Sequence, residues 1–449
     1  MSYLRQLIAF AALGLSAVDA RAVVAHYMIG GIDSRTDHAE RDIQDAITVG
    51  FDGFAMNMGS PGASWLKSTV DQLFDAANGT DFALFFSFDT LQHASLADHF
   101  EFFDKYRDHP NYMRAGPDNL PIVSSFGGYD DASDWAHYKS KADIYLIPNL
   151  DDTNIQAYYS QTSDHLSKYN DIVDGYFSWE SAWPTSTGKP ANVSSVGDQA
   201  VMSFAHDAGK TYMMGISPLQ YKDMTGSNWY RVGEANLPQR MEQILDLQPD
   251  FVEFITWNDG GESHYLGNLW EEAYSTAPEI LEYANTNDWP HDAWQPLVTS
   301  FINAYKAGLP ADKMEPATGI AVGSMWYRGM LNSCTESRPS NADAAIDSVN
   351  YAIVLPASSE GYKIRVASAG EVLSTVEAKA GLNYAAVEGL QVGDQKVELL
   401  DSNGDVVMRA TSTADVTDSS KCNFNFNVAG LEKTKAARSA CRAEQSRAH

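Results

Sequence analysis

Three features are scarce in this 449-residue sequence: cysteines, basic residues and long apolar runs. It has three cysteines, and its 31 Lys and Arg residues are outnumbered by 59 Asp and Glu residues, which gives a formal net charge of -28. Nucleic acids and anionic membrane surfaces bind basic protein faces, so this charge argues against both as partners. After the N-terminus no stretch approaches about 18 continuous apolar residues, and we therefore expect a soluble protein without a membrane-spanning helix.

The first 22 residues have the pattern of a secretory signal peptide. Arg5 supplies the positive charge, residues 7–18 form a short apolar run, and Ala20 and Ala22 form a small-x-small cleavage site. The run is too short for a spanning helix, and the alternative is an N-terminal core helix. We predict that residues 1–22 are removed and that the protein is secreted, to the extracellular space or the cell wall.

Secretion bears on the cysteines and on two glycosylation sequons. Because Cys334 and Cys422 bracket the C-terminal region, we expect them to form a disulfide, which leaves Cys441 unpaired in a polar tail. Asn78 and Asn192 begin Asn-x-Ser/Thr triplets and are predicted glycosylation sites. The cysteines lack metal-binding spacing, and the sequence has no H-E-x-x-H motif, G-x-S-x-G motif or Walker loop, so we expect no metal and no cofactor.

Between residues 23 and 310, short apolar runs alternate with helical patterns. Each run has about four to eight β-favouring residues and is bounded by Gly, Asp, Asn or Ser. The eight runs begin at Val23, Gly53, Ala83, Pro121, Asp143, Asp174, Thr211 and Phe251. Eight strands that alternate with helices over this length predict an α/β fold, the (β/α)8 TIM barrel. A doubly wound open sheet has the same local rhythm, but no G-x-G-x-x-G follows the first strand.

The character of the sequence changes after Gly308. Residues 311–329 contain Pro316 and are predicted to be a connector. Alternating runs over residues 330–432, with a hairpin signal at Asn403 and Gly404, predict an all-β sandwich as a C-terminal accessory domain. The final residues, 433–449, are polar and basic and are predicted to be disordered.

The stretch TWNDGGESHYLG, residues 256–267, follows the eighth predicted strand and holds two carboxylates, Asp259 and Glu262. Catalysis in α/β barrels takes place at the C-terminal ends of the strands. Glycoside hydrolysis needs two carboxyl groups, one to donate a proton and one to attack or to activate water. Asp259 and Glu262 are therefore the leading candidates, with a polar turn in solvent as the alternative. Gly260 and Gly261 let the backbone bend and a bulky substrate approach.

Other polar and aromatic residues at strand ends are candidates for substrate binding. We predict that His264 and Tyr265 bind hydroxyl groups and that Trp257 offers an apolar ring face to a sugar. Asn57 and His26 end earlier strands and are predicted to face the same site. For His26, a hydrogen-bonded structural role is the alternative.

Two further carboxylates end predicted strands. Asp89 ends the apolar run FFSFD, where desolvation would raise its pKa as an acid catalyst requires, and a helix N-cap is the alternative. Glu180 lies between Trp179 and Trp183, which is typical of a carboxylate on an aromatic sugar platform, and a rim salt bridge is the alternative. Three charged residues either support the mouth or lie on an exposed helix face: Arg231, Glu234 and Arg240.

Seven runs together resemble glycoside hydrolase family 71, the fungal α-1,3-glucanases or mutanases. They are VVAHYMIG, GFAMNMG, LFFSFD, PIVSSFGG, FSWESAWP, GISP and TWNDGGESHYLG, and the resemblance covers about residues 23–308. It implies an inverting, endo-acting hydrolase of α-1,3-glucan. The residues that match the family's motifs are Asp89, Asp259, Glu262, His264 and Tyr265.

The expected reaction is a single displacement in which Glu262 protonates the leaving oxygen, Asp259 activates water and Asp89 shapes the charge at the scissile sugar. The roles of Asp259 and Glu262 can be exchanged, and a carboxyl separation of about 5 Å instead of about 6.5–9.5 Å would contradict inversion. The sequence departs from the family pattern at Gly260, where Tyr is common, and at Glu180, which is an addition.

Two other functions stay open at this point. A non-catalytic carbohydrate-binding or cell-wall protein on an inactive barrel would keep Trp179, Trp183 and Trp257 without needing the carboxylates. A barrel glycosidase for another glucan linkage would need both the tryptophans and the carboxylates. We expect α-1,3-glucan to be the partner and the chain to be a monomer.

Overall fold

The computed structural model describes residues 21–92, 96–128, 132–151, 155–160 and 162–434. These residues form a curled, mostly parallel sheet with α-helices, followed by two antiparallel sheets. Nearly all of the predicted signal peptide, Cys441 and most of the predicted tail lie outside the described residues.

The first part of the chain alternates strands and helices. Its strands are β1 (Ala22–Met28), β2 (Gly53–Met58), β3 (Ala83–Asp89), β4 (Arg114–Ala115), β5 (Leu120–Phe126), β6 (Tyr145–Ile147), β7 (Gly175–Ser178), β8 (Thr211–Ile216), β9 (Gln220–Met224), β10 (Ser227–Arg231) and β11 (Phe251–Phe254). Its helices are α1 (His38–Val49), α2 (Leu66–Ala77), α3 (Leu96–Tyr106), α4 (Ala132–Lys139), α5 (Ile155–Ser160), α6 (Thr162–Leu166), α7 (Val196–Asp207), α8 (Asn236–Leu247) and α9 (Gln295–Lys306). A strand lies in each of the eight predicted runs, whereas β4, β9 and β10 were not predicted.

Short 3-10 helices occupy several of the connections. They are Ile29–Gly31, Thr90–Gln92, Ser167–Tyr169, Glu180–Ala182, Glu271–Tyr274, Pro278–Glu282, Asp292–Trp294, Ala311–Lys313 and Ala342–Ala344.

Eight parallel strands lie side by side in the order β6-β5-β3-β2-β1-β11-β8-β7. The segment after β6 meets β7 at an isolated parallel bridge between Asn149 and Phe177, so the two edges of the curled sheet approach each other. Because the strands are parallel, their C-terminal ends reach one common face. We call this face the mouth.

Burial explains why these runs form strands and helices. All six residues of β2 are buried, as expected for a parallel strand that is covered on both sides. Helix α1 buries Ala39, Ile43 and Ala46, which share one helical face. It ends at Gly50, which has a φ of 106° and donates to the Ala46 carbonyl, as is common at helix C-termini.

The C-terminal β region, Val322 to Lys433, contains two antiparallel sheets. Its strands are β12 (Val322–Arg328), β13 (Ser348–Leu355), β14 (Lys363–Ser368), β15 (Glu371–Glu377), β16 (Gly381–Glu388), β17 (Gln395–Leu400), β18 (Val406–Thr411), β19 (Phe426–Gly430) and β20 (Glu432–Lys433). One sheet has the order β16-β13-β12-β19 and the other β15-β14-β17-β18-β20, and apolar residues of both share a buried core. Strand β12 lies within the predicted connector, so ordered structure begins before residue 330.

The C-terminal β region packs directly against the α/β part. The Trp326 indole N–H donates to the Glu234 carbonyl at 2.8 Å, and its ring lies 5.9 Å from that of Trp294. One hydrophobic core contains residues of both parts. The predicted disulfide between Cys334 and Cys422 is confirmed, with an S–S distance of 2.11 Å.

Candidate active site

The loop after β11 is closed at its base by hydrogen bonds. The Thr256 N–H donates to the His264 carbonyl at 2.6 Å, and the Leu266 N–H donates to the Thr256 carbonyl at 3.1 Å. The Thr256 hydroxyl accepts from the Asp259 N–H at 2.9 Å. The loop therefore holds Asp259 and Glu262 together at the mouth.

Asp259 and Glu262 lie next to each other in space. Asp259 Oδ1 accepts from the Glu262 backbone N–H at 3.1 Å, and one oxygen of each side chain lies within 4.8 Å of the other. Both residues are partly exposed. Since two neighbouring carboxyl groups resist being ionised together, their pKa values move apart.

Glu262 is the better stabilised of the two carboxylates. Its Oε2 accepts from Gln220 and lies 3.2 Å from His264 Nε2, while Lys222 Nζ lies 3.6 Å from Oε1. Burial acts to raise the pKa of Glu262, but these three neighbours, led by His264, outweigh it and lower the pKa to about 2. Gln220 and Lys222 belong to the β9–β10 hairpin, which the sequence interpretation missed although its alternating residues and Thr225–Gly226 turn signal it.

The pKa of Asp259 is shifted in the opposite direction, upwards. Burial is the main cause that raises its pKa; the charge of His264 opposes this, and the negative charge of Glu262 adds to it. Of the pair, Asp259 therefore has the higher pKa and Glu262 the lower. A pair with separated proton affinities is what acid–base catalysis requires.

A cavity of 340 Å³ opens beside Asp259. Asp89, from the end of β3, and Asn57, from β2, line the same cavity, so the structure brings three of the predicted site residues together. Asp89 Oδ1 also accepts from the Leu91 N–H at 3.0 Å, so the capping role considered as an alternative is present as well.

Asn57 is held by a chain of buried side chains. Its Nδ2 lies 3.1 Å from His26 Nε2, and His26 Nδ1 lies 2.7 Å from Glu253 Oε1 on β11. His26 and Glu253 are fully buried. Burial raises the pKa of Glu253, against the influence of His26. The alternative considered for His26 is therefore the observed one: it positions Asn57 and does not reach the cavity.

A family model described as glycosyl hydrolase family 71 matches residues 19–441 of the chain. The chain belongs to glycosyl hydrolase family 71. The match includes the C-terminal β region, so that region is part of what the family model describes.

Two of the three curated relatives described here for this family 71 protein are named for the α-1,3 linkage. The glucan endo-1,3-alpha-glucosidase agn1 of Schizosaccharomyces pombe is 32% identical over 338 residues, covering 74% of each chain. A mutanase of Penicillium rubens is 32% identical over 420 residues, covering 90% of this chain and 87% of the mutanase. An ascus wall endo-1,3-alpha-glucanase of S. pombe is 27% identical over 396 residues, covering 83% of this chain and 87% of that protein.

Among solved structures, the GH99 endo-alpha-mannosidase from Bacteroides thetaiotaomicron has a similar fold. The TM-score is 0.50 at 11% sequence identity, and the alignment covers 64% of this chain and 98% of that one. The likeness concerns the fold alone.

In this family 71 protein, Trp257 does not have its predicted role of offering a ring face to a sugar. Its ring is fully buried and packs against Phe51 and Phe54, with centroid distances of 6.0 and 5.5 Å. It therefore offers no face to a sugar. The strand-end position that suggested a platform directs the indole into the core instead of the mouth.

Tyr265 does not have the predicted role of binding substrate hydroxyl groups either. It is fully buried, donates its hydroxyl to the Trp289 carbonyl at 2.6 Å and accepts from Asn425 Nδ2 at 3.2 Å. Asn425 also donates to the Tyr283 carbonyl, and the Tyr283 hydroxyl donates to the Gly261 carbonyl at 2.8 Å. Tyr265 thus links the loop after β11 to the C-terminal β region and does not face the cavity.

His264 and the two glycines act within the loop. The His264 side chain is fully buried, and its Nε2 lies 3.2 Å from Glu262 Oε2. Gly260 is packed, since a Cβ there would lie 2.9 Å from the Tyr274 hydroxyl oxygen, and a Cβ on Gly261 would lie 3.2 Å from Asp259 Oδ1. The left-handed residue of the loop is Ser263, with a φ of 60°. The glycines therefore accommodate close packing within the protein.

Glu180 forms the rim salt bridge that was the alternative to a sugar platform. Its Oε2 lies 2.7 Å from Arg231 Nη1, and the Arg231 guanidinium lies 4.9 Å above the Trp183 ring. Trp183 and Trp179 are 3% and 5% exposed, and Trp179 packs on His26 at a centroid distance of 4.8 Å. A second cavity of 660 Å³ lies beside Glu180 and Trp183.

A buried ion pair supports this side of the mouth. Arg240 on α8 lies 2.8 Å from Asp198 on α7, and both side chains are fully buried. Arg240 also donates to the Gly215 carbonyl at 2.7 Å and to Ser181 Oγ at 3.2 Å. Of the two roles considered for Arg240, the supporting one is observed. Glu234 accepts from Tyr230 and from the Ile346 N–H and is likewise buried.

A buried carboxyl group that accepts hydrogen bonds from neutral donors supports the side of the mouth at the loop after β11. Asp42 on α1 accepts from Tyr27 at 2.8 Å, Asn268 at 3.0 Å and Trp270 at 3.1 Å. Burial raises the pKa of Asp42 to about 6, although these hydrogen bonds act to lower it. Asn268 and Trp270 follow the loop after β11, so Asp42 anchors the chain that leaves this loop.

Three possible metal-ligating atoms, from Asp259, Glu262 and His264, lie within 4.8 Å of one another. A hydrogen bond between His264 and Glu262 and one from the Glu262 N–H to Asp259 Oδ1 account for this proximity. Both predicted glycosylation residues, Asn78 and Asn192, are exposed. Among the described residues, no helix is long and apolar enough to cross a membrane.

Proposed function

We propose that this family 71 protein hydrolyses internal linkages of α-1,3-glucan. The observation that carries the proposal is the pairing of Asp259 with Glu262 beside a cavity that Asp89 also lines. The names of the curated relatives supply the linkage. Cavities at two sides of the mouth, one lined by Asp259 and one beside Glu180, give an internal segment of a polymer room to extend in both directions.

The proposed chemistry uses Asp259 as the acid and Glu262 as the base. A residue that donates a proton must hold one before the reaction, and the raised pKa of Asp259 beside the lowered pKa of Glu262 supports this assignment. This reverses the order that the sequence favoured and is the exchange it left open. We further propose that Asp89 stabilises positive charge on the scissile sugar.

We propose inversion at the anomeric carbon, as the family resemblance implies. The distance of at most 4.8 Å is measured between one oxygen of Asp259 and one oxygen of Glu262. The range of about 6.5–9.5 Å for inverting enzymes is measured between the two carboxyl groups as wholes. Proton NMR of the first product decides the matter. A new β-anomeric reducing end supports inversion, and an α-anomeric one contradicts it.

The proposed architecture is a closed (β/α)8 barrel over residues 23–310 with a C-terminal β-sandwich. The bridge between Asn149 and Phe177 supports closure of the barrel, and the shared core of the two antiparallel sheets supports the sandwich. We propose that the protein is secreted to the cell wall or its surroundings and acts as a monomer. One chain supplies the carboxylates and both cavities, which supports the last point.

The test is sugar release from insoluble α-1,3-glucan, with β-1,3-glucan and α-1,4-glucan as linkage controls. We expect release from the α-1,3-linked polymer alone, and strong loss in Asp259→Asn, Glu262→Gln and Asp89→Asn. Equal release by the wild type and all three variants would contradict the proposed site. Pull-down by α-1,3-glucan without any sugar release would favour the non-catalytic alternative.

A further inference from the structure

Trp65 is the most exposed of the ten tryptophans, all of which lie within the described residues. Its side chain is 48% exposed. Single exposed apolar residues are ordinary on protein surfaces, so the exposure alone indicates nothing. The position of Trp65 is what distinguishes it.

Trp65 lines two adjoining cavities. One is the 340 Å³ cavity that also contains Asp89 and Asp259, and the other has a volume of 470 Å³. Gly30 lines both as well, and a Cβ there would lie 3.5 Å from Cη2 of the indole. The indole therefore forms a common wall along a groove that begins at the proposed catalytic residues.

The second cavity has the chemistry of a site for a neutral, hydroxyl-rich ligand. Polar side chains that can bind hydroxyl groups line it, among them Thr69, Glu272 and Ser275. The charge of Arg35 is matched by Asp33, whose Oδ1 accepts from Arg35 Nε at 2.9 Å. Ligand sites of about 300–1,000 Å³ commonly combine such polar groups with aromatic walls.

We propose that Trp65 is the aromatic platform of a glucan subsite that extends from Asp259 towards Asp33 and Glu272. The inference rests on the proposed function, because the occupant is the part of the α-1,3-glucan chain next to the scissile bond. The apolar face of a glucose ring lies on the indole, and the hydroxyl groups at its edge bind the polar residues of the second cavity.

The fold does not depend on this indole. Trp65 precedes α2, and its carbonyl accepts from the Thr69 N–H at 3.2 Å and from Ser68 Oγ at 2.8 Å. A substitution of the side chain leaves these backbone interactions in place. Trp65→Ala is therefore expected to fold and to unfold at the same temperature as the wild type.

The experiment has a kinetic part and a binding part, both with the full chain. Wild type, Trp65→Ala, Trp65→Phe and Trp65→Tyr are compared for KM and kcat on soluble α-1,3-linked glucose oligosaccharides of increasing length. Binding of the same oligosaccharides is measured by calorimetry in Glu262→Gln with and without Trp65→Ala. Val372→Ala, which truncates an exposed apolar residue of β15, is the control.

We expect Trp65→Ala to weaken binding and raise KM about tenfold for oligosaccharides that reach the platform, with little effect on the shortest ones. Trp65→Phe and Trp65→Tyr should recover most of the loss, since each keeps a ring, and Val372→Ala should match the wild type. Equal affinities with and without the indole, or equal losses at every length, would overturn the inference. Absence of hydrolysis by the wild type would instead overturn the proposed function.

Discussion

Two strand exits at the mouth look alike in sequence and differ in structure. The exit of β11 presents Glu262 and the exit of β7 leads to Glu180, each close to a tryptophan. Glu262 lies within 4.8 Å of a second carboxylate, Asp259, whereas Glu180 lies 2.7 Å from the guanidinium of Arg231. A second carboxylate allows a proton to be shared, and a guanidinium neutralises the charge without offering a proton.

The supports beneath the two exits differ in the same way. Below the β7 side, Asp198 is paired with Arg240, while Asp42 beside the chain that leaves the β11 loop has only neutral donors. The comparison teaches that the neighbour of a buried carboxyl group decides its role more than the sequence around it does. The predictions that follow test this contrast.

The largest difference is expected in activity. Glu262→Gln should lower kcat/KM on α-1,3-glucan by about 10³-fold because it removes a group used in proton transfer. Glu180→Gln keeps the size of the side chain and should lower kcat/KM by less than about tenfold, since it removes only a rim interaction. Initial-rate measurements at equal enzyme concentration compare the two, and equal losses would break the contrast between the exits.

The next effect concerns the support below the β7 side. Asp198→Ala should destabilise the protein by about 3–5 kcal/mol, because it leaves Arg240 charged and buried without its partner. Urea unfolding followed by fluorescence measures this change. The double variant Asp198→Ala with Arg240→Met should recover part of the loss, and a double variant as unstable as the single one would contradict this explanation.

The support below the β11 loop should make stability depend on pH. The folded pKa of Asp42 is raised from 3.8 to about 6, so the folded state binds the proton more tightly than the unfolded state does. Its contribution is fully present below pH 4 and is lost as pH rises through 6, a decrease of up to about 3 kcal/mol in the free energy of unfolding.

This pH effect is measured as the difference between wild type and Asp42→Asn in urea unfolding from pH 4 to pH 7. The variant cannot titrate at residue 42, so its curve should lack this decrease. Parallel curves for the two proteins would show that the carboxyl group does not titrate in the folded state as stated.

The smallest effect is expected for the rim salt bridge. Glu180 and Arg231 are 24% and 26% exposed, so solvent screens their attraction. A double-mutant cycle with Glu180→Gln and Arg231→Gln should give a coupling energy below about 1 kcal/mol at moderate salt. A coupling of several kcal/mol would place this pair with the buried Asp198–Arg240 pair and remove the distinction drawn here.

Local patterns were sufficient to locate the eight parallel strands and the carboxylate pair. The apolar runs gave all eight parallel strands, and their parallel order brings Asp89, Asn57 and Asp259 to one cavity. The disulfide followed from the positions of Cys334 and Cys422, which bracket the C-terminal region. These features depend on periodicity and composition, which a single sequence contains.

Side-chain direction could not be predicted in the same way. Trp257 and Tyr265 lie in the same loop after β11 as Asp259, yet both point into buried packing. The direction depends on which distant residues pack there, such as Phe54 for Trp257 and Asn425 for Tyr265. Contacts this far apart in sequence leave no local signal.

The link from Asn425 through Tyr265 and Tyr283 to the loop after β11 limits how this chain can be engineered. Asn425 lies three residues after Cys422, whose disulfide fixes this segment to the other end of the C-terminal β region. A glucanase assembled by exchanging modules would separate the loop at Gly261 from this support. The two parts of this chain should therefore be expressed and redesigned as one unit, in contrast to enzymes whose binding domains are attached by flexible linkers.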